Sequence, residues 1–121
     1  MSRSLSVAIV DDEKDLTLVL KKGFVRRGIE VSFVAHNGRE AVELLKQAEK
    51  KPDVVIMDYW MPGVDGVTAA REMLAIAPGV KIIFLSGERL SEEEALGTGA
   101  IGLIRKPASL SKLVDAIRES A

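Results

Sequence analysis

Cysteine is absent from the 121 residues. That absence removes disulfides, thiolate nucleophiles, iron–sulfur ligation and cysteine-based zinc sites together. Histidine occurs once, as His36, which excludes a histidine-rich metal centre as well. Any metal held by this chain must use oxygen ligands, and that points to a hard cation such as Mg²⁺. Neither sign of charge is in excess: 17 Lys+Arg stand against 18 Asp+Glu, a formal net charge of −1. The balance argues against direct nucleic-acid binding through a basic surface and against a polybasic membrane-surface module. Long hydrophobic runs are missing too, and none approaches the ~20 residues of a membrane-spanning helix. Near the N-terminus the apolar run Val7 to Val10 is cut short by Asp11 and Asp12, unlike a signal peptide, so the expected location is the cytoplasm. There is no internal repeat, low-complexity segment or Pro/Gly/Ser-rich linker. The length suits one domain spanning residues 1–121.

What is present is an alternation of short apolar runs and helical periodicities. Val7-Ala8-Ile9-Val10 and Val54-Val55-Ile56-Met57 are uninterrupted apolar runs, the pattern of strands buried on both faces. Ile29 to Ala35, Val80 to Leu85 and Ile101 to Ile104 read as three more strands. In the first of these, Ile29, Val31 and Phe33 alternate with polar residues, so one side is expected to be more exposed. Between the strands, Leu16, Val19, Leu20 and Phe24 recur at helical spacing. So do Ala41, Leu44, Leu45 and Ala48; then Val67, Ala70, Leu74 and Ala77; and finally Leu110, Leu113, Val114 and Ile117. Asn37 with Glu40, and Ser91 with Glu94, carry the spacing of a capping box. The order is βα repeated five times. It predicts an α/β fold, a doubly wound (βα)5 parallel sheet covered by helices on both faces, with right-handed crossovers and the flavodoxin-like strand order 2-1-3-4-5.

The chemistry-bearing residues fall at the carboxyl ends of these strands. Asp11 and Asp12 follow the first, Asp58 the third, Ser86 the fourth and Lys106 the fifth. Open α/β sheets bind ligands at that edge, where the strand order reverses, which here brings the first and third strands together. Three convergent carboxylates repel. A pair ~4 Å apart costs roughly 1 kcal/mol in bulk water and about 4 kcal/mol at an effective dielectric of 20. Mg²⁺ relieves this, since it accepts carboxylates, keeps water and leaves room for a phosphate oxygen. With the Lys106 cation, the Ser86 hydroxyl donor and a carboxylate nucleophile, the set has the parts of a phosphoryl-transfer site. Taken singly each residue is ordinary: a turn Asp, a Ser-Gly turn, a Lys-Pro strand end, an acidic helix N-terminus at Asp11-Asp12-Glu13. Their joint placement is what argues for function.

The segments Val10-Asp11-Asp12-Glu13, Asp58-Tyr59-Trp60-Met61-Pro62-Gly63-Val64-Asp65-Gly66, Leu85-Ser86-Gly87 and Lys106-Pro107 together resemble the receiver domain of two-component response regulators, over essentially the whole chain. The resemblance implies that Asp58 is the phosphoacceptor, taking a phosphoryl group from the phosphohistidine of a sensor histidine kinase or phosphotransfer protein. It implies Mg²⁺ bound by Asp12 directly, by Asp11 mainly through water, by Asp58 and by the Trp60 backbone carbonyl. Ser86 and Lys106 would contact the transferred group. The Lys106-Pro107 peptide is expected to be cis. The chain would act only on its own phosphorylation and dephosphorylation, passing the change through the surface of strand 4, helix 4 and strand 5 to a downstream protein or to an output domain not in this sequence.

Three positions depart from the family pattern. Leu103 stands where an aromatic or His usually precedes the Lys-Pro pair, which removes the usual relay residue and leaves a packing role. The interval from Ser86 to Lys106 is about two residues short and holds Gly97, Gly99 and Gly102, so helix 4 is expected to be short. Trp60 places an indole two residues after the acceptor, either over the mouth of the site or simply exposed. Other classes fit less well. An Asp-nucleophile phosphohydrolase of the haloacid-dehalogenase kind wants a second Asp at position 60. A flavin carrier wants a phosphate loop where Asp11-Asp12-Glu13-Lys14-Asp15 stands. A receiver-like interaction domain that is never phosphorylated has no need of the full residue set.

Overall fold

The structure, a computed structural model, describes residues 4–60, 65–87 and 91–121. Met61, Pro62, Gly63 and Val64, part of the segment that carries the family resemblance, lie outside the described residues. Five strands and five helices alternate: β1 (Ser6–Val10), α1 (Lys14–Arg26), β2 (Glu30–Ala35), α2 (Gly38–Gln47), β3 (Val54–Asp58), α3 (Gly66–Ile76), β4 (Lys81–Ser86), α4 (Glu92–Gly97), β5 (Gly102–Arg105) and α5 (Leu110–Ser120). All strand pairs are parallel and the order is β2-β1-β3-β4-β5, as the pattern of apolar runs predicts.

The three central strands are apolar because both their faces are covered. Ala8, Val10, Val55, Met57, Ile82 and Phe84 point to one side, against α2, α3 and α4. Val7, Ile9, Val54, Ile56, Ile83 and Leu85 point to the other, against α1 and α5. Every residue of β1 and β3 is buried. At roughly 1.5–3 kcal/mol for each large apolar side chain removed from water, these two layers drive the fold.

Two expectations are corrected by the packing. In α1 the buried residues are Thr17, Leu20 and Phe24, while Val19 is 64% exposed. Thr17 can face inward because its hydroxyl donates to the Lys14 carbonyl at 2.8 Å, which removes the penalty for burying it. Val19 then lies on the outer side of the turn. In β2, Val31 and Phe33 do not share a face. Val7 pairs with Val31 but Ala8 pairs with Phe33, so the ladder skips Ser32 as a bulge. Phe33 thereby turns to the α2–α3 side while Val31 stays on the α1–α5 side.

The caps follow the sequence signals. Asn37 Oδ1 accepts from the Glu40 N–H at 2.8 Å, but the Glu40 carboxylate reaches one residue further back, to the His36 N–H at 3.2 Å. Ser91 Oγ accepts from the Glu94 N–H and its hydroxyl donates to the Glu94 carboxylate. Helix α4 is short, six residues, as its glycines predict.

Candidate functional site

Backbone pairing runs one residue past the strand ends and delivers the site residues. Asp11 N–H donates to the Ala35 carbonyl, Tyr59 N–H to Leu85 and Lys106 N–H to Ser86. Asp58 and Ser86 are themselves the last residues of β3 and β4, and Lys106 follows β5 directly. With Asp12, which follows Asp11 after β1, these four site residues, Asp11, Asp58, Ser86 and Lys106, sit on the carboxyl edge of the sheet. The Lys106-Pro107 peptide is cis.

The carboxylates of Asp11, Asp12 and Asp58 each offer an oxygen within 4.8 Å of the others. Asp11 and Asp58 are buried, at 1% and 5% exposure, and Asp12 is exposed. Lys106 reaches across from β5. Its Nζ lies 3.1 Å from Asp11 Oδ2, 3.5 Å from Asp58 Oδ2 and 3.9 Å from Glu13 Oε1. Asp11 is held on both oxygens, since Oδ1 accepts from the Glu13 N–H at 2.9 Å. Asp58 is oriented by Lys106 and by the Trp60 N–H, which donates to its Oδ1 at 3.3 Å. Ser86 is buried beside them, and its hydroxyl makes no hydrogen bond to a described residue.

The electrostatics show an excess of negative charge. Burial, and then the neighbouring Asp11 carboxylate, push the Asp58 carboxyl up to about 6 from its ordinary 3.8; Lys106 and the Trp60 N–H oppose this, and Asp12 adds to it. For Lys106, burial by itself lowers the pKa. The hydrogen bond to Asp11 and the charges of Asp11, Asp58 and Glu13 outweigh it and raise the ammonium above its ordinary 10.5. Lys106 thus serves two buried acids, Asp11 and Asp58, and the exposed Glu13, and a divalent cation with oxygen ligands fits the deficit.

Glu13 is the site residue that sequence reasoning left within a helix start. Its carboxylate forms an outer partner of Lys106 and its N–H fixes Asp11. The signal was its place two residues after Asp11, where an N-cap backbone amide can reach back. Leu103 packs, half-buried, against the core on the α3–α4 side and pairs with Phe84 across the β4–β5 ladder, the packing role expected of it. Trp60 is 68% exposed.

Gly66 makes the close approach that places the Asp58 loop. A Cβ there would lie 2.9 Å from the Tyr59 carbonyl oxygen, 3.1 Å from Tyr59 Cα and 3.2 Å from Phe84 Cε1. Two of those atoms are backbone and cannot step aside. Gly66→Ala is therefore expected to cost on the order of 1–3 kcal/mol by overpacking and to weaken Mg²⁺ binding by shifting Tyr59 and Trp60. Chemical denaturation and a Mg²⁺ titration read by the fluorescence of Trp60 check both; unchanged stability would remove the proposed contact.

The fold and this edge define a doubly wound α/β protein with an acidic, lysine-bridged pocket at its switch point. The model of the response regulator receiver domain matches residues 7–118, and the chain belongs to that family. It is 42% identical to the chemotaxis protein CheY of Thermotoga maritima over 115 residues, covering 93% of this chain and 94% of that protein. A receiver domain from Clostridium thermocellum superposes with a TM-score of 0.88 at 28% identity, over 96% of this chain and 93% of that one. A chain of the CheX–CheY–BeF3–Mg²⁺ complex from Borrelia burgdorferi does so with 0.87 at 27% identity, over 95% and 87%. The family is one of signalling receivers in two-component and chemotaxis systems. No described helix is long and apolar enough to cross a membrane.

Proposed function

We propose that the chain is a single receiver unit that accepts a phosphoryl group on Asp58, in a Mg²⁺-dependent reaction, from a sensor histidine kinase or phosphotransfer protein. The observation that carries this reading is the joining of three carboxylates within 4.8 Å to one lysine that touches Asp11 and Asp58 together. The relative from Borrelia burgdorferi, whose complex holds Mg²⁺ and BeF3, supports it.

Asp12, Asp11, Asp58 and the Trp60 carbonyl would hold the ion, with Asp11 acting mainly through water. When bound, Mg²⁺ cancels the repulsion among the acids and adds Lewis-acid charge for the phosphoryl oxygens. The chain's own residues do the rest. The Trp60 N–H holds Asp58 Oδ1 in place. A carboxylate oxygen of Asp58 bonds to phosphorus as the bond from phosphorus to the donor nitrogen breaks, giving an acyl phosphate. Lys106 offsets the charge on the transferring oxygens, and the Ser86 hydroxyl donates to the new group. The chemistry ends on the chain itself, so no turnover of an outside phosphate ester is expected, and Trp60 occupies the position where a phosphohydrolase of this geometry would need a second acid.

Phosphorylation adds charge and acceptor oxygens beside Ser86. Ser86 sits on the same side of β4 as Phe84, which pairs with Leu103. The change reaches β5 through this apolar pair rather than through a polar aromatic, and biases the β4–α4–β5 surface that a downstream protein or output domain would read.

The test is intact mass after incubation with Mg²⁺ and a small acyl phosphate. The native protein gains one phosphoryl group and Asp58→Asn gains none. A gain that persists in Asp58→Asn refutes the assignment.

A further inference from the structure

One exposed cation at the carboxyl edge has no part in the reaction described above. We propose that Arg105 is a second cationic contact for the phosphoryl group on Asp58, folding across Ser86 when that group arrives and leaving the outer surface of β5 as it does so. The inference rests on the reading of Asp58 as the phosphoacceptor.

Among the described residues, two lysine or arginine side chains stand at the carboxyl ends of the strands, Lys106 and Arg105. Lys106 is already committed to acids, with Asp11 at 3.1 Å, Asp58 at 3.5 Å and Glu13 at 3.9 Å. Arg105 is exposed, and its side chain makes no hydrogen bond or ion pair with a described residue. Its origin is fixed relative to the site. Arg105 pairs with Ser86 in the parallel β4–β5 ladder, and the next amide, Lys106 N–H, donates to the Ser86 carbonyl at 2.9 Å. Residues paired in register on neighbouring strands point to the same face of the sheet. Arg105 and Ser86 therefore lie on the face that carries Leu103 and Phe84. A charge at the end of an edge strand guards that edge against stray pairing; the register with Ser86 gives this one an anion to meet as well.

Transfer changes the charge that the site must hold. The Asp58 oxygen that bonds to phosphorus gives up its negative charge, and the phosphoryl group brings about −1.5 to −2. Mg²⁺ and Lys106 are set against Asp11, Asp12 and Glu13 as well as that group, so the balance stays negative. The planar guanidinium of Arg105 matches two phosphoryl oxygens at once, beside the Ser86 hydroxyl, and supplies the missing charge. Leu103 has no polar atom with which to follow the phosphoryl group; Arg105, two residues on and on the same face of β5, does. Before transfer its charge faces solvent. Drawn inward, it takes a positive charge away from the end of β5, a change that a partner docked on that surface can read.

The experiment titrates beryllofluoride, a stand-in for a phosphoryl group on a carboxylate, in Mg²⁺, into the ¹⁵N-labelled native protein, Arg105→Ala, Arg105→Lys and Arg105→Glu, and reads the amide signals by NMR. The affinity is expected to fall roughly five-fold in Arg105→Ala and more than ten-fold in Arg105→Glu, with Arg105→Lys between Arg105→Ala and the native protein. The loss in Arg105→Ala is expected to persist at about 0.5 M NaCl, where long-range charge effects are screened and a direct contact is not. In the native protein the Arg105 Nε–H signal shifts on binding. An affinity unmoved by Arg105→Ala, a loss that vanishes in salt, or an Nε–H signal that stays in place overturns this inference alone. Failure of the native protein both to bind beryllofluoride and to gain mass from acetyl phosphate overturns the phosphoacceptor reading and this inference with it.

Discussion

Asp58→Asn raises the stability of the metal-free protein by about 2 kcal/mol at neutral pH, on the order of 8 °C in the unfolding midpoint. The cause is that the native fold holds the charged carboxylate in a buried place beside Asp11, with its carboxyl pushed up to about 6 from 3.8. Below about pH 4 Asp58 is protonated in both the folded and the unfolded chain, and the substitution gains nothing. Between about 4 and 6 the unfolded chain loses its proton first, so the native state is progressively destabilised as pH rises. Above 6 the penalty is complete, and so is the gain from Asn. Mg²⁺ reverses the order. An ion bound only by the native chain stabilises it by about 2.7 kcal/mol at a hundred times its dissociation constant, and the variant, lacking one carboxylate, takes up less of it. Thermal unfolding at pH 4 and pH 7.5, with and without Mg²⁺, is the measurement. A pH-independent gain would mean that the charge on Asp58 is not the source of the strain.

Lys106→Met has the opposite sign and touches catalysis as well. The ammonium is the one described cation within 4 Å of both Asp11 and Asp58. Breaking a buried pair from one side costs roughly 3–5 kcal/mol; the Lys106 side chain is 24% exposed, and solvent screening reduces the expected loss to about 2 kcal/mol. The stabilisation is present below the ordinary lysine value while the acids are charged, weakens as pH falls through about 6 and Asp58 takes up its proton, and is lost at high pH as the raised lysine value is passed. Phosphorylation of Asp58 by a small acyl phosphate is expected to slow about a hundred-fold, since a preorganised positive charge is removed from the transferring oxygens. In a double-mutant cycle the loss is smaller when Asp58 is already Asn, with a coupling on the order of 1 kcal/mol. Additive effects would place Lys106 and Asp58 in separate networks.

The polar site was legible because its parts sit at the ends of strands that announce themselves. Val7 to Val10 and Val54 to Met57 could only be central strands, and the parallel order followed from the helices between them. Asp11, Asp12, Asp58, Ser86 and Lys106 then had to share an edge, and the structure places them there. The short α4 and the packing role of Leu103 were readable for the same local reason, glycine content in one case and an apolar side chain in the other.

What the amino-acid order determined by itself was local: which segments extend, which coil, where Asn37 and Ser91 cap them, and which residues reach the carboxyl edge. Tertiary contact decided the remainder. It buried Thr17 rather than Val19, turned Phe33 to the other face through a bulge at Ser32, and brought Glu13 into the surroundings of Lys106. Asp11 and Lys106 are 95 residues apart in the chain, and the raised pKa of Asp58 exists only because such distant groups are forced together in a buried place. Periodicity along a chain carries no information on the distance between two charges, and that distance controls the energy.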